Sequence, residues 1–293
     1  ETGVVCVDLS AMKARPRKPP TNTRPAPPSL KDARPRHRNK TEEMFHGLRA
    51  CEAIFAARPD EIVRVYVSHG RQKQLAKLLA WCAKWKKGYQ IVADDNLERL
   101  TKSIHHEGMA ILARQIRRWD LDMLLATLAP AMAGQASRSR GHALSPPLLY
   151  LDGVQNPHNL GSILRTAAHF GAAAVIGKAG DLPPLSPAAA RVAEGAAEHV
   201  PVCDCVDPVR DLARLKKAGY QVVATSSRRG ESLFATLLGP RVVLVLGSEG
   251  EGVSREIDAV ADRRVMISGT GSVESLNVSV ACGVVLAEAW RRK

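Results

Sequence analysis

The stretch Leu148-Leu149-Tyr150-Leu151-Asp152-Gly153-Val154-Gln155-Asn156-Pro157-His158-Asn159-Leu160-Gly161 carries the reading of the fold. Its first four residues are apolar without alternation, as in a strand buried on both faces of a parallel sheet. After the break at Asp152-Gly153, apolar residues recur at helical spacing over residues 160–170. A second apolar run, residues 242–246, leads in the same way into Gly247-Ser248-Glu249-Gly250-Glu251-Gly252 and a helix expected over residues 254–260. A third polar cluster, Ser275-Leu276-Asn277-Val278-Ser279, opens a helix expected over residues 278–291. Such loops at the carboxyl ends of strands are where open α/β sheets place their ligands.

Outward from these loops the alternation continues. Strands are expected at 148–151, 173–176, 200–203, 221–225, 242–246 and 264–267, with helices at 160–170, 187–197, 209–218, 254–260 and 278–291. This is βα repetition, hence an α/β fold for residues 147–293. Residues 42–115 read as a smaller α/β module, with helices at 44–57, 72–85 and 96–102 and strands at 62–67, 89–93 and 109–113. Residues 116–146 read as a linker with one helix at 120–128, ending in a stretch rich in Ser, Arg, Gly and Pro.

With 293 residues and 45% hydrophobic content the chain can bury one large core or two moderate ones, and the pattern favours two. The net charge of +13 is concentrated near the start. Residues 13–40 hold ten Lys or Arg against one acid, Asp32, together with seven prolines and few large apolar side chains. Such a segment does not offset the entropy of ordering itself, so residues 1–41 are expected as a disordered basic arm, either solubilising or in contact with nucleic-acid phosphates. The chain opens on Glu1, and Met12 reads as a candidate natural start. No apolar run approaches the roughly 20 residues of a membrane helix, which points to a cytoplasmic protein without membrane contact. The cysteines show no zinc-binding spacing; Cys203 and Cys205 are read as reduced thiols on one face of a strand, and no metal site is expected.

The three motifs, with Arg165 in the helix after the first, closely resemble the signature motifs of the SpoU (TrmH-type) RNA 2′-O-ribose methyltransferases. The resemblance implies a trefoil-knotted domain of the SPOUT superfamily that binds S-adenosylmethionine and works as a homodimer on structured tRNA or rRNA. Phe45-His46-Gly47-Leu48 and His105-His106-Glu107-Gly108-Met109-Ala110 resemble, more loosely, the substrate-binding domain that often precedes it. The two histidines are either exposed turn residues or RNA contacts.

A ribose 2′-hydroxyl is a poor nucleophile at neutral pH, whereas a methyl sulfonium is an activated electrophile, so alignment and help with proton loss are what such a site must provide. By the resemblance Asn159, Arg165, Glu249, Ser275 and Asn277 face the reacting centre. Free arginine is too weak a base for proton removal, which favours a phosphate clamp for Arg165, with direct proton removal as the lesser role and a helix-face ion pair as the plain alternative. Glu249 also suits a helix N-terminus, and Ser275 or Asn277 an ordinary N-cap. Thr225, Gly247, Ile267 and Leu276 are the expected cofactor contacts, largely through backbone groups. The glycines at 247, 250 and 252 lack the order of a dinucleotide fingerprint, and no Walker motif occurs, which argues against a nicotinamide-dependent enzyme. Val278, Ala281, Val285 and Ala289 form a small-residue stripe that fits either a two-fold interface or the monomer's core. The alternative to an enzyme is a catalytically silent RNA-binding protein of the same fold.

Overall fold

The computed structural model describes residues 41–135 and 145–291, so all of the expected arm except Thr41 lies outside the described residues. These described residues form one compact unit. Its first part comprises β1 (Glu42–His46), α1 (Leu48–Ala57), β2 (Ile62–Ser68), α2 (Ala76–Lys84), β3 (Gly88–Val92), α3 (Asp94–Thr101) and β4 (Met109–Arg114), with the strands in the order β1-β4-β2-β3. β4 is antiparallel to both β1 and β2, and β3 runs parallel to β2. Phe45, Ile54, Val65, Met109 and Ile111 are buried at its centre.

The helix expected over residues 44–57 starts only at Leu48. Residues 42–46 are a strand instead, with Met44 opposite Leu112 and Phe45 opposite Ile111. Gly47 at φ +91 makes the change of direction, in a backbone state that most side chains avoid.

Next come β5 (Trp119–Asp120), α4 (Leu121–Gln135), β6 (Leu148–Asp152), α5 (Pro157–Phe170), β7 (Ala174–Lys178), α6 (Pro187–Val192), β8 (Val202–Cys205), α7 (Pro208–Lys217), β9 (Gln221–Thr225), β10 (Glu231–Ser232), β11 (Val242–Gly247), α8 (Arg255–Val260), β12 (Arg263–Met266) and α9 (Val278–Arg291). Among the described residues eight of these strands make one sheet in the order β10-β12-β9-β11-β6-β7-β8-β5, every pair parallel. Alternate residues of each strand enter two cores. Leu149, Leu151, Leu244 and Leu246 pack with α5 and α9 on one face. Leu148, Tyr150, Val243 and Val245 pack with α4 and α7 on the other. Burial on both faces is what the unbroken apolar runs required.

The stretch expected as a linker, residues 116–146, supplies β5, paired with β8 at the sheet edge, and α4, whose Leu121, Leu124 and Leu128 are buried in the second core. The helix expected over 187–197 stops at Val192: Glu194 (φ +47) and Gly195 (φ +89) turn left-handed and lead into a 3-10 turn at Ala196–Glu198. The stripe Val278, Val285 and Ala289 belongs to the monomer's core, with Ala281 packed against it, so this face of α9 is not left for a two-fold interface. Cys203 and Cys205 do share a face, and burial pushes both thiols up to about 12, which keeps them protonated and poor ligands.

The two parts dock through α6 and the 3-10 turn. Ala190 of α6 joins the core of the small sheet. Arg58, at the end of α1, donates from Nε to both carboxylate oxygens of Glu198 at 3.0 and 2.9 Å, bonds Arg114 O through Nη1, and lies 5.4 Å from the Phe45 ring centre. A side chain at Gly195 would meet the Ala53 Cβ at 2.7 Å, so the approach of α1 depends on that glycine.

Candidate active site

Three of the five expected catalytic residues come together. Asn159 enters from the first turn of α5, which is set by Asn156 accepting from His158 N at 2.8 Å and by Pro157 at the helix start. Glu249 lies in the loop after β11 and Asn277 in the turn before α9. Asn159 Nδ2 donates to Glu249 Oε1 at 2.9 Å, Asn277 Nδ2 donates to the same oxygen at 2.6 Å, and Asn277 Nδ2 also approaches Asn159 Oδ1 at 3.2 Å. Asn277 Oδ1 accepts from the Ser279 backbone N–H at 2.9 Å and from its hydroxyl at 2.6 Å, so the residue caps α9 and joins the cluster at once. Ser275, two residues earlier, is exposed, and the hydrogen bonds joining the other three do not reach it.

Arg165 lies apart. Six residues beyond Asn159 on the same helix, it is displaced by roughly 9 Å along the axis and by about a third of a turn around it. Its Nη1 pairs with Glu194 Oε1 at 3.0 Å, both side chains being about half exposed. Within one chain the helix therefore directs Asn159 to the loop cluster and Arg165 to a separate cleft.

Two further residues had no role assigned from sequence. Asp152, at the end of β6, accepts the Ser254 N–H at 2.7 Å and so ties the first motif to the start of α8. Its place as the first polar residue after the strand was the available signal, but nothing in the sequence named its partner. Glu194 is the other, and only the left-handed turn after α6 brings it to Arg165.

Three of the four expected cofactor residues lie at the carboxyl ends of three adjacent strands, β11, β9 and β12. Gly247 ends β11, Thr225 ends β9 opposite Val265, and Ile267 follows β12. Gly247 has a more immediate reason to be glycine than contact with a ligand: a Cβ there would fall 2.0 Å from the Gly252 carbonyl carbon, because the loop folds back through the Ser248–Gly252 bridge. Thr225 Oγ1 donates to Val245 O at 2.9 Å, which fixes this side chain against β11. Leu276 is 41% exposed and Ile267 half-buried, and residues 267–277 form no strand or helix. Two ion pairs bridge the surrounding loops at the surface. Arg228 reaches Glu274 at 2.7 Å, and Arg229 reaches Asp258 at 2.8 Å. Arg264, bonded to Asp258 at 2.6 Å, holds that carboxyl below the usual carboxylate range, with Arg229 adding to the effect.

An open parallel sheet whose polar residues converge at its carboxyl edge defines a ligand-binding α/β domain. Comparison with known proteins narrows the class. Residues 146–287 match the SpoU rRNA Methylase family and residues 45–119 match the RNA 2′-O ribose methyltransferase substrate-binding domain. A tRNA/rRNA methyltransferase of Escherichia coli O157:H7, YfiF, described as uncharacterized, is 37% identical over 257 residues, 88% of this chain and 70% of that protein. The 23S rRNA (guanosine-2′-O-)-methyltransferase RlmB of Vibrio cholerae is 34% identical over 257 residues, 86% of this chain and 98% of that enzyme. Among solved structures, the SpoU methyltransferase AviRb from Streptomyces viridochromogenes, in complex with the cofactor AdoMet, superposes with a TM-score of 0.65 at 21% identity, covering 86% of this chain and 90% of that one.

The chain belongs to the SpoU family of RNA 2′-O-ribose methyltransferases. The α/β fold class, the enzyme class and the S-adenosylmethionine cofactor expected from the motifs are borne out. The residues at the edge fit that cofactor: Ile267 and Leu276 offer aliphatic surface to a purine, and the irregular backbone of residues 267–277 offers polar groups that no sheet ladder occupies.

Proposed function

We propose that this protein methylates a ribose 2′-hydroxyl in structured RNA, with ribosomal RNA as the first substrate class to test, since several relatives are named for methylating 23S rRNA. The hydrogen-bonded cluster of Asn159, Glu249 and Asn277 carries the reading, because it gathers three distant segments at one polar point. S-adenosylmethionine supplies a methyl group already activated by its sulfonium.

The protein's own contribution is placement. Glu249 Oε1 is occupied by two amide donors, which leaves Oε2 to accept from the ribose and Asn159 to orient it. Alignment of this kind is worth up to roughly 7–11 kcal/mol in favourable intramolecular reactions. Arg165 takes the target phosphate. Because it stands apart from the cluster within one chain, a second copy supplies it in a homodimer that uses the outward side of α9, where Val280 and Trp290 are 53% and 52% exposed. Gly247, Thr225, Ile267 and Leu276 hold the cofactor, Ser275 borders it, and the trefoil knot and cytoplasmic location complete the proposal. No helix among the described residues is long and apolar enough to cross a membrane.

The test is incubation with tritiated S-adenosylmethionine and RNA from cells lacking the gene. Label in a dinucleotide resistant to alkali is the expected result, since a 2′-O-methyl group blocks alkaline cleavage. Label on a base, or none on any RNA, overturns the reading.

A further inference from the structure

A cleft of about 510 Å³ lies between α5 and the turn after α6, and none of Asn159, Glu249 and Asn277 lines it. Its wall holds Arg165, His169 and Phe170 from α5 and Glu194 and His199 from the opposite side. The rings of His169 and Phe170 stack edge to face at 4.9 Å. Apart from Glu194, the ionisable side chains of this wall, Arg165, His169 and His199, all carry nitrogen donors that an anion can accept from, set among Ala168, Ala193 and Ala196. Glu194 is the exception, and its backbone is left-handed at φ +47, a state that costs a non-glycine residue about 1 kcal/mol or more. The neighbouring Gly195, wedged against Ala53, keeps the turn in that state, and the Glu194 carboxylate pairs with Arg165 at 3.0 Å.

We infer that this cleft is a subsite for an RNA backbone phosphate in which Glu194 serves as a stand-in anion, holding Arg165 extended until the phosphate replaces it, with His169 and His199 as flanking donors. The inference rests on the methyltransferase reading and adds the device that keeps Arg165 in place while no RNA is bound. Exchange is feasible because both partners are about half exposed, and pairs of that kind are weak enough for a phosphate to displace. A doubly bonded phosphate gives arginine a better-matched partner than a single carboxylate oxygen.

The experiment is fluorescence anisotropy of a labelled RNA hairpin of mixed sequence with the full chain, alongside titration of S-adenosylhomocysteine as a control for folding. Glu194→Gln should tighten hairpin binding by about twofold to fivefold, the scale of an exposed ion pair, and leave S-adenosylhomocysteine affinity unchanged. The gain should vanish in an Arg165→Gln background, and the double variant His169→Gln/His199→Gln should weaken binding. Glu194→Asn, which tolerates the left-handed backbone, should repeat the gain if the glutamine variant folds poorly. Unchanged or weaker binding in both Glu194 variants, or a gain that persists without Arg165, overturns the inference. So does a change in particle mass on light scattering, since the change in binding would then follow assembly and not the ion pair. Methylation by the unmodified protein with no effect of Glu194 would sink this inference alone.

Discussion

Both amide donors of the cluster converge on one oxygen of Glu249, at 2.9 and 2.6 Å, which separates what the carboxylate does by geometry from what it does by charge. Glutamine keeps a carbonyl oxygen for the two asparagines; alanine removes the hub. Glu249→Ala should therefore lower single-turnover methylation by at least roughly a hundredfold, whereas Glu249→Gln should stay within about tenfold of the parent if positioning dominates. Equal losses in the two variants, with S-adenosylhomocysteine still bound, would assign the role to charge. Asn159, Glu249 and Asn277 were legible in the sequence because each sits at a strand-to-helix turn of a recognisable motif. The separation of Arg165 from them was less so: the helical repeat between positions 159 and 165 points the two side chains apart, yet only the docked turn at Glu194 shows where the arginine goes.

At the scale of elements, the docking of the small sheet on the large one hangs on α1, α6 and the 3-10 turn between Ala196 and Glu198. Arg58 and Glu198 are 15% and 6% exposed, so removing one leaves the other charged and buried. Arg58→Ala should cost about 3–5 kcal/mol in urea unfolding, while Arg58→Met with Glu198→Leu should recover most of it. A loss below about 1 kcal/mol for the single variant would show that water enters this junction. His46, at the end of β1, is 5% exposed, and burial first, then the positive charge of Arg191, lower its pKa below the ordinary 6.5. The unfolded chain takes up this proton more readily, so the contribution is whole above pH 6.5 and declines as pH falls from there toward the folded value. His46→Gln should flatten the acid side of the stability curve, measured by thermal unfolding across pH; a parallel curve would rule this group out. The parallel strands were readable because burial on both faces leaves unbroken apolar runs. β1 was not, since Phe45, Leu48, Cys51 and Phe55 continue a helical spacing across Gly47, and β5 is two residues long, with only its pairing to β8 to define it.

For the whole molecule, two measurements bear on assembly and on the arm. Light scattering of the full chain should give twice the monomer mass, and Val280→Glu with Trp290→Glu should halve it; a monomer that still methylates RNA would remove the partner's Arg165 from the mechanism. The arm's ten basic residues should add salt-sensitive affinity of roughly 0.7–0.9 in log–log slope for each phosphate neutralised. Deleting residues 1–40 should flatten that slope in filter binding without moving the methylated nucleotide, and coincident slopes would mean that the arm does not bind phosphate. The spacing of the polar cluster has a last consequence, for synthesis. Asn159 meets Glu249 across 90 positions and Asn277 across 118, and the sheet between them is parallel throughout, so none of these bonds forms locally. Pairings between residues so far apart close slowly. On the ribosome β6 and α5 are made long before Asn277, the last of the three, is translated, so the cluster closes only when the chain is nearly finished.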